Sequence, residues 1–221
     1  MAKLFLLRHL KSQWNLDKEF SGWADNPLSK EGILAAPEIA HKLVNEKIDV
    51  VYTSELIRNK ETVVRIFEHF PERYPLFLHL NGGKMQQWGK FTDKSNQDVP
   101  VYVSEKLNER YYGALQGLIH EDVVKKYGEE KVHLWRRGYK IRPPKGESLK
   151  DVYNRAVPFF KKYIIKELSE DKNVLVVASH NSLRAIVKFI EHISDKDIAD
   201  VELPFGSLIQ YEFNGNFTIK R

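Results

Sequence analysis

Three short apolar runs, Leu4 to Leu7, Ile48 to Tyr52 and Val174 to Ala178, constrain this 221-residue chain more than any other feature. They are unbroken rather than alternating, the pattern of strands covered on both faces. Stretches with helical spacing lie between them. Ser29 is placed to cap a helix carrying Ile33, Leu34, Ile39 and Leu43, kinked at Pro37. Leu56, Val63, Ile66 and Phe67 share one side of a second helix, from about Glu55 to Phe70. Ser148, with Asp151 three residues on, opens a third through Val152, Ala156 and Phe160, with a kink at Pro158. Asn181 or Ser182 caps a last helix bearing Leu183, Ile186, Val187 and Ile190. Strand alternating with helix predicts an α/β fold: a three-layer sandwich with a mostly parallel central sheet and helices on both faces. The stretch from about 71 to 104 fits poorly, with an Asn81-Gly82-Gly83 turn signal and a polar segment around Asp93 to Asp98. It is expected to be a lid-like insertion bordering the active site, within one domain spanning 1–221.

Each of the three runs ends in a polar cluster. The first gives Arg8, His9, Ser12 and Asn15; the second gives Thr53, Ser54 and, one helical turn on, Arg58. The third gives Ser179, His180 and Asn181 where a helix starts, so free backbone N–H groups add to an anion site. Parallel strands bring their carboxyl ends to one edge, where ligands of open α/β sheets collect. Two histidines and at least two arginines around one point make a phosphate pocket. An imidazole there can attack phosphorus when its other nitrogen donates to a backbone carbonyl, and arginines hold the phosphoryl oxygens. A fourth cluster, Leu107 to Gly117, offers Glu109 as a proton shuttle for a substrate hydroxyl.

Composition narrows the partner. The net charge is +5, yet lysines are scattered among acids, as Lys125-Lys126 before Glu129-Glu130, without the basic and aromatic stripe of a nucleic-acid surface. A small anionic phosphorylated substrate fits better than nucleic acid or membrane. No apolar run approaches the roughly 18 residues that span a bilayer. No cysteine is present, which excludes disulfides and thiolate metal sites, and no leader peptide is visible. A cytoplasmic location is expected.

Longer stretches carry a resemblance. Residues 8–32 (RHLKSQWNLDKEFSGWADNPLSKEG), 52–58 (YTSELIR), 107–118 (LNERYYGALQGL), 127–139 (YGEEKVHLWRRGY), 146–149 (GESL) and 181–185 (NSLRA) span nearly the whole chain. In that order the sequence resembles the cofactor-dependent phosphoglycerate mutases of the histidine phosphatase superfamily. The resemblance implies interconversion of 3-phosphoglycerate and 2-phosphoglycerate through 2,3-bisphosphoglycerate, which also primes the enzyme, with no metal. It implies a phosphorylated His9, with Arg8, Arg58 and His180 stabilising the transferring group and Glu109 as general acid and base. Ser12, Asn15, Ser21 and Gly22 would line the pocket. Arg110, Tyr112, Arg136 and Arg137 would bind the substrate carboxylate and second phosphate, with Tyr111, His120 and Asn181 in the same set. Homodimers or homotetramers are implied.

Four departures qualify that pattern. Leu10 and Lys11 stand where the family has glycine and glutamate, implying an altered loop. Tyr111 replaces a histidine. His120 falls on a phosphate-binding lysine and could replace it only when protonated. The family's histidine-glycine-asparagine-serine reads Ser179-His180-Asn181-Ser182 here. A gapless match puts Ser179 at the catalytic histidine; losing the glycine puts His180 there. His180 is the reading adopted, because serine is a poor polarising donor, with Ser179 as the alternative. A histidine-type phosphatase is the main rival function, and a non-catalytic phosphate-binding relative the second.

Overall fold

Successive residues of the first strand point into two different cores. β1 (Ala2–Arg8) sends Leu4 and Leu6 to one side and Phe5 and Leu7 to the other, all of them buried. In the computed structural model, which describes residues 1–90 and 95–220, six further strands join it. They are β2 (Val50–Thr53), β3 (Tyr74–His79), β4 (Asp98–Val103), β5 (Val174–Ala178), β6 (Leu208–Phe213) and β7 (Phe217–Lys220). The sheet order is β3-β4-β2-β5-β1-β6-β7. The first five in that order are parallel; β6 and β7 form an antiparallel hairpin on the edge beyond β1.

Helices cover both faces. Leu4, Leu6, Val174 and Val176 pack with Phe160, Ile164, Leu183 and Ile186, from the segment after Ser148 and the helix His180–Ile190. Phe5, Leu7, Val51 and Val177 pack with Ile39, Leu43, Val63 and Ile66, from the helices Ala36–Leu43 and Ile57–Phe67. The three-layer sandwich is therefore the fold, and the sheet is mostly parallel.

The expected helices form with local changes. Ser29 does cap: its hydroxyl accepts from Gly32 N, and the helix breaks at Ala35 so that Pro37 falls in the first turn of the next one. Ile33 and Leu34 face outward instead of joining the core. Gly32 is needed for space, because a side chain there would meet the Lys11 carbonyl that Ser29 binds. Ser148 and Asp151 close a reciprocal capping box. Pro158 sits inside the helix Leu149–Phe159, which continues as a π-helical turn over Phe160–Ile164. Ser179, not Asn181 or Ser182, is the N-cap of the last helix.

The stretch 71–104 is no insertion. It carries β3 and β4, paired in register from Tyr74 with Asp98 to His79 with Val103. Asp93 and Lys94 of its polar segment lie outside the described residues. The segment that rises over the carboxyl edge of the sheet is 105–147, which holds the helices His120–Tyr127 and Glu129–Arg137 around a small core of Phe20, Leu115, Val123, Val132 and Trp135.

Replacing Ser148 by alanine removes the hydroxyl half of its capping box, the bonds with Asp151 N and the Asp151 carboxylate, and leaves the amide of residue 148 donating to that carboxylate. Urea unfolding should show a loss of about 1 kcal/mol without a change in the denaturant slope.

Candidate active site

The first strand stops where a ring nitrogen finds a carbonyl. His9 follows β1 directly, and its Nδ1 lies 2.6 Å from the Leu10 carbonyl oxygen. Carbonyls only accept, so Nδ1 carries the proton, and Nε2 is the nitrogen left with its lone pair for the cavity. Leu10 fixes this geometry from both ends: its amide donates to Thr62 Oγ1 and its side chain is buried beside Ile39 and Gly206. Leu10 thus takes the glycine position by turning into the core. Lys11 turns out to Glu31.

Around His9 lies a cavity of about 770 Å³. Arg8, Arg58, Arg136, Arg137, His120 and His180 bring it positive or potentially positive groups, and Asn15, Ser21, Gly22, Glu109, Tyr112 and Asn181 complete the expected set that lines it. Arg58, from the helix after β2, is buried and donates to the carbonyls of Gly22 and Ala24. The left-handed backbone at Gly22, φ +50°, aims the first of these carbonyls. Arg8 donates to Leu203 O and stacks on Phe205, 3.7 Å from the ring centre. The Nε atoms of both Arg8 and Arg58 are buried without a partner.

Burial first, and then this crowding of cations, sets the protonation states. Burial lowers Arg8 to about 10, opposed mainly by Glu109. Burial, then Arg58 and Arg8, hold His9 well below the usual imidazole range. Burial and the arginines at 8, 184, 137 and 110 do the same to His180. Both imidazoles are neutral.

Glu109 is clamped at the start of the last helix. One carboxylate oxygen accepts from Asn181 Nδ2 at 2.7 Å and from Arg110 N at 2.6 Å; the other faces Asn181 N at 3.4 Å. Its own carbonyl accepts from Trp23 Nε1 and Arg155. Asn181 is held in turn by Arg184, whose guanidinium also reaches the carbonyls of Arg137 and Ile198.

Three expected pocket residues stand elsewhere. Ser12 is buried and donates to Asn15 Oδ1, so it positions Asn15. Arg110 is fully buried beneath the wall, bonded to Arg136 O and Tyr112 Oη. Tyr111 faces outward against Trp23. The backbone running from Glu109 to Tyr112 turns these two away between residues that face in. His120 does line the cavity, but it stacks on Phe20 with Nε2 3.1 Å from Arg136 Nη1, and burial followed by Arg136 lowers its pKa. It is a neutral acceptor for an arginine rather than a substitute cation. Ser179 is buried, with its hydroxyl accepting from Asn59, while His180 next to it faces the cavity. The sequence reading missed Lys18, Phe20, Glu129, Glu202 and Phe205 in the wall. The alternation in Leu208 to Phe213 was the available signal for the last two, because it marks a strand whose feeding loop must land at a sheet edge.

The sequence pattern of the histidine phosphatase superfamily (branch 1) matches residues 4–81 and 84–220. The chain belongs to this superfamily. A relative from Protochlamydia amoebophila, a 2,3-bisphosphoglycerate-dependent phosphoglycerate mutase, is 39% identical over 100% of this chain and 99% of its own. One of the same name from Methanococcus vannielii is 43% identical over 97% of this chain and 92% of its own. Among solved structures, a mycobacterial glucosyl-3-phosphoglycerate phosphatase superposes with a TM-score of 0.77 at 21% identity, covering 100% of this chain and 98% of that one. Mycobacterial hydrolase 1 gives 0.78 at 20% identity, with 100% and 98% coverage. These structures share the fold. Among the described residues no helix is long and apolar enough to cross a membrane, and no three His, Asp or Glu side chains gather as a metal site.

The depressed imidazoles couple stability to pH. Above about pH 6.5 both native and unfolded chains keep them neutral; below it the unfolded chain takes up protons that native His9 refuses. Stability of the ligand-free protein should therefore fall as pH drops below that value. In urea titrations, His9→Gln should make the fall shallower by up to about 1.4 kcal/mol per pH unit.

Proposed function

We propose that this chain interconverts 3-phosphoglycerate and 2-phosphoglycerate through a phosphohistidine at His9. The observation that carries the reading is the neutral His9, with Nδ1 committed to Leu10 O, inside a cup lined by Arg8, Arg58, Arg136 and Arg137, with Arg58 fully buried. The full-length likeness to named mutases supports the choice of substrate.

The residues divide the work as follows. His9 Nε2 attacks phosphorus and the bond from phosphorus to the substrate oxygen breaks. Arg8 and Arg58 hold the equatorial oxygens, and His180 donates to the same group as charge builds. Glu109 gives a proton to the departing oxygen and takes one from the glycerate hydroxyl that recovers the phosphoryl group. Arg136 and Arg137 face the rest of the anion, with Asn15, Ser21, Gly22 and Tyr112 along the wall. The segment 105–147 keeps water from the phosphohistidine. The unpartnered Nε atoms of Arg8 and Arg58 and the size of the cavity suit 2,3-bisphosphoglycerate, which supplies the phosphoryl group that charges His9. With this reading come a cytoplasmic location, a homodimer or homotetramer, and no need for metal.

Incubation with 3-phosphoglycerate and catalytic bisphosphoglycerate should yield 2-phosphoglycerate far faster than inorganic phosphate. Release of phosphate alone would make the protein a phosphatase, and neither product would leave a binding protein. His9→Ala should abolish the acid-labile phosphoenzyme. His180→Ala should cost about 100-fold or more in kcat, the range of a lost transition-state donor, and Ser179→Ala much less. The opposite order would assign the second catalytic position to Ser179.

A further inference from the structure

One carboxylate in the cavity stands where an anion is wanted. Glu202 lies in the segment 201–207, between a short helical turn, Asp197–Asp200, and β6. One of its oxygens pairs with Arg137 Nη2 and the other is 3.2 Å from His180 Nε2. His180 Nε2 is also 3.4 Å from Leu203 N, so the ring has two arrangements. With the proton on Nε2 it donates to Glu202; with the proton on Nδ1 it accepts from Leu203. The neighbours of Glu202 tie this segment to the site as well. Leu203 O accepts from Arg8, and Phe205 lies over Arg8 and 5.8 Å from the His9 ring.

From this we infer that Glu202 is a built-in competing anion, which an incoming phosphorylated substrate must displace from Arg137 and His180. The inference rests on the proposed use of these two groups for phosphate. The chemistry of the contact favours displacement over permanence. The Glu202 side chain is 51% exposed, so it can swing into water and be solvated there. Arg137 is only partly buried and has Arg136 and Arg110 acting against its charge, so it gains from any anion offered. A phosphate brings more charge and more acceptor oxygens to the same pair than one carboxylate does. Weakly charged metabolites cannot make that exchange profitably. Glu202 therefore raises the charge an occupant must carry and returns to His180 the acceptor it loses when product leaves.

The test uses inorganic phosphate as the probe and does not depend on turnover. Glu202→Gln and Glu202→Ala remove the carboxylate in different ways, and thermal unfolding checks that each is folded. By titration calorimetry at low ionic strength, both should bind phosphate about threefold to fivefold more tightly than the parent. With phosphoglycerate as substrate, KM should fall in the same direction and phosphate should inhibit more strongly. Equal or weaker phosphate binding in both variants would overturn the inference and make Glu202 a support for His180 or a part of the binding wall. Tighter phosphate binding with no mutase activity in any form, parent included, would keep the inference and remove the proposed function. Tighter binding alongside activity supports both.

Discussion

Buried guanidinium groups with too few carboxylates to match them are the constraint on which this structure turns. Arg58, Arg110 and Arg184 are among the largest fully buried side chains. A buried cation is costly unless its donors are satisfied. Here the partners are largely main-chain oxygens: Gly22 and Ala24 for Arg58, Arg136 for Arg110, Arg137 and Ile198 for Arg184. Carbonyl dipoles solvate the charge without cancelling it. The edge of the sheet is thus left with a net positive field, and the loops that supply the carbonyls are held in place by the charges they solvate. Binding strength and loop order come from the same contacts.

That arrangement explains the neutrality of the histidines and the clamping of Glu109. A buried imidazole near several arginines stays unprotonated, the state that the proposed attack on phosphorus requires. A carboxylate in the same field needs restraint more than stabilisation, because it would otherwise collapse onto the nearest guanidinium. Asn181, the Arg110 amide and the helix N-terminus provide it. Arg155 fixes the main chain on the other side through Asn108 O and Glu109 O.

Much of this placement could be read from residue order. The runs that became β1, β2 and β5 were visible because both faces are covered, and their polar ends met because parallel strands share an edge. β3 and β4 were hidden by Pro75 and Pro100. Pro75 is tolerated because β3 is an edge strand, and Pro100 because β4 pairs with β2 only from Val101 onward. Turning Arg110 inward and Tyr111 outward depends on the packing of segment 105–147, which no local spacing encodes. Glu202 and Phe205 could be reached only through topology, by way of the strand pattern in Leu208 to Phe213. β6 runs against β1, with Leu208 opposite Leu7, so the loop before it arrives at the edge where β1 ends.

The replacement of a glycine by Leu10 has a mechanical consequence. The His9 ring is one residue from a side chain sealed among Ile39, Gly206 and the rest of that apolar layer. His9 is in effect bolted to the interior, not carried on a pliant turn. Anything that slackens the hydrocarbon beneath, whether heat, cosolvent or a trimmed methyl group, will be transmitted to the aim of the imidazole with little damping.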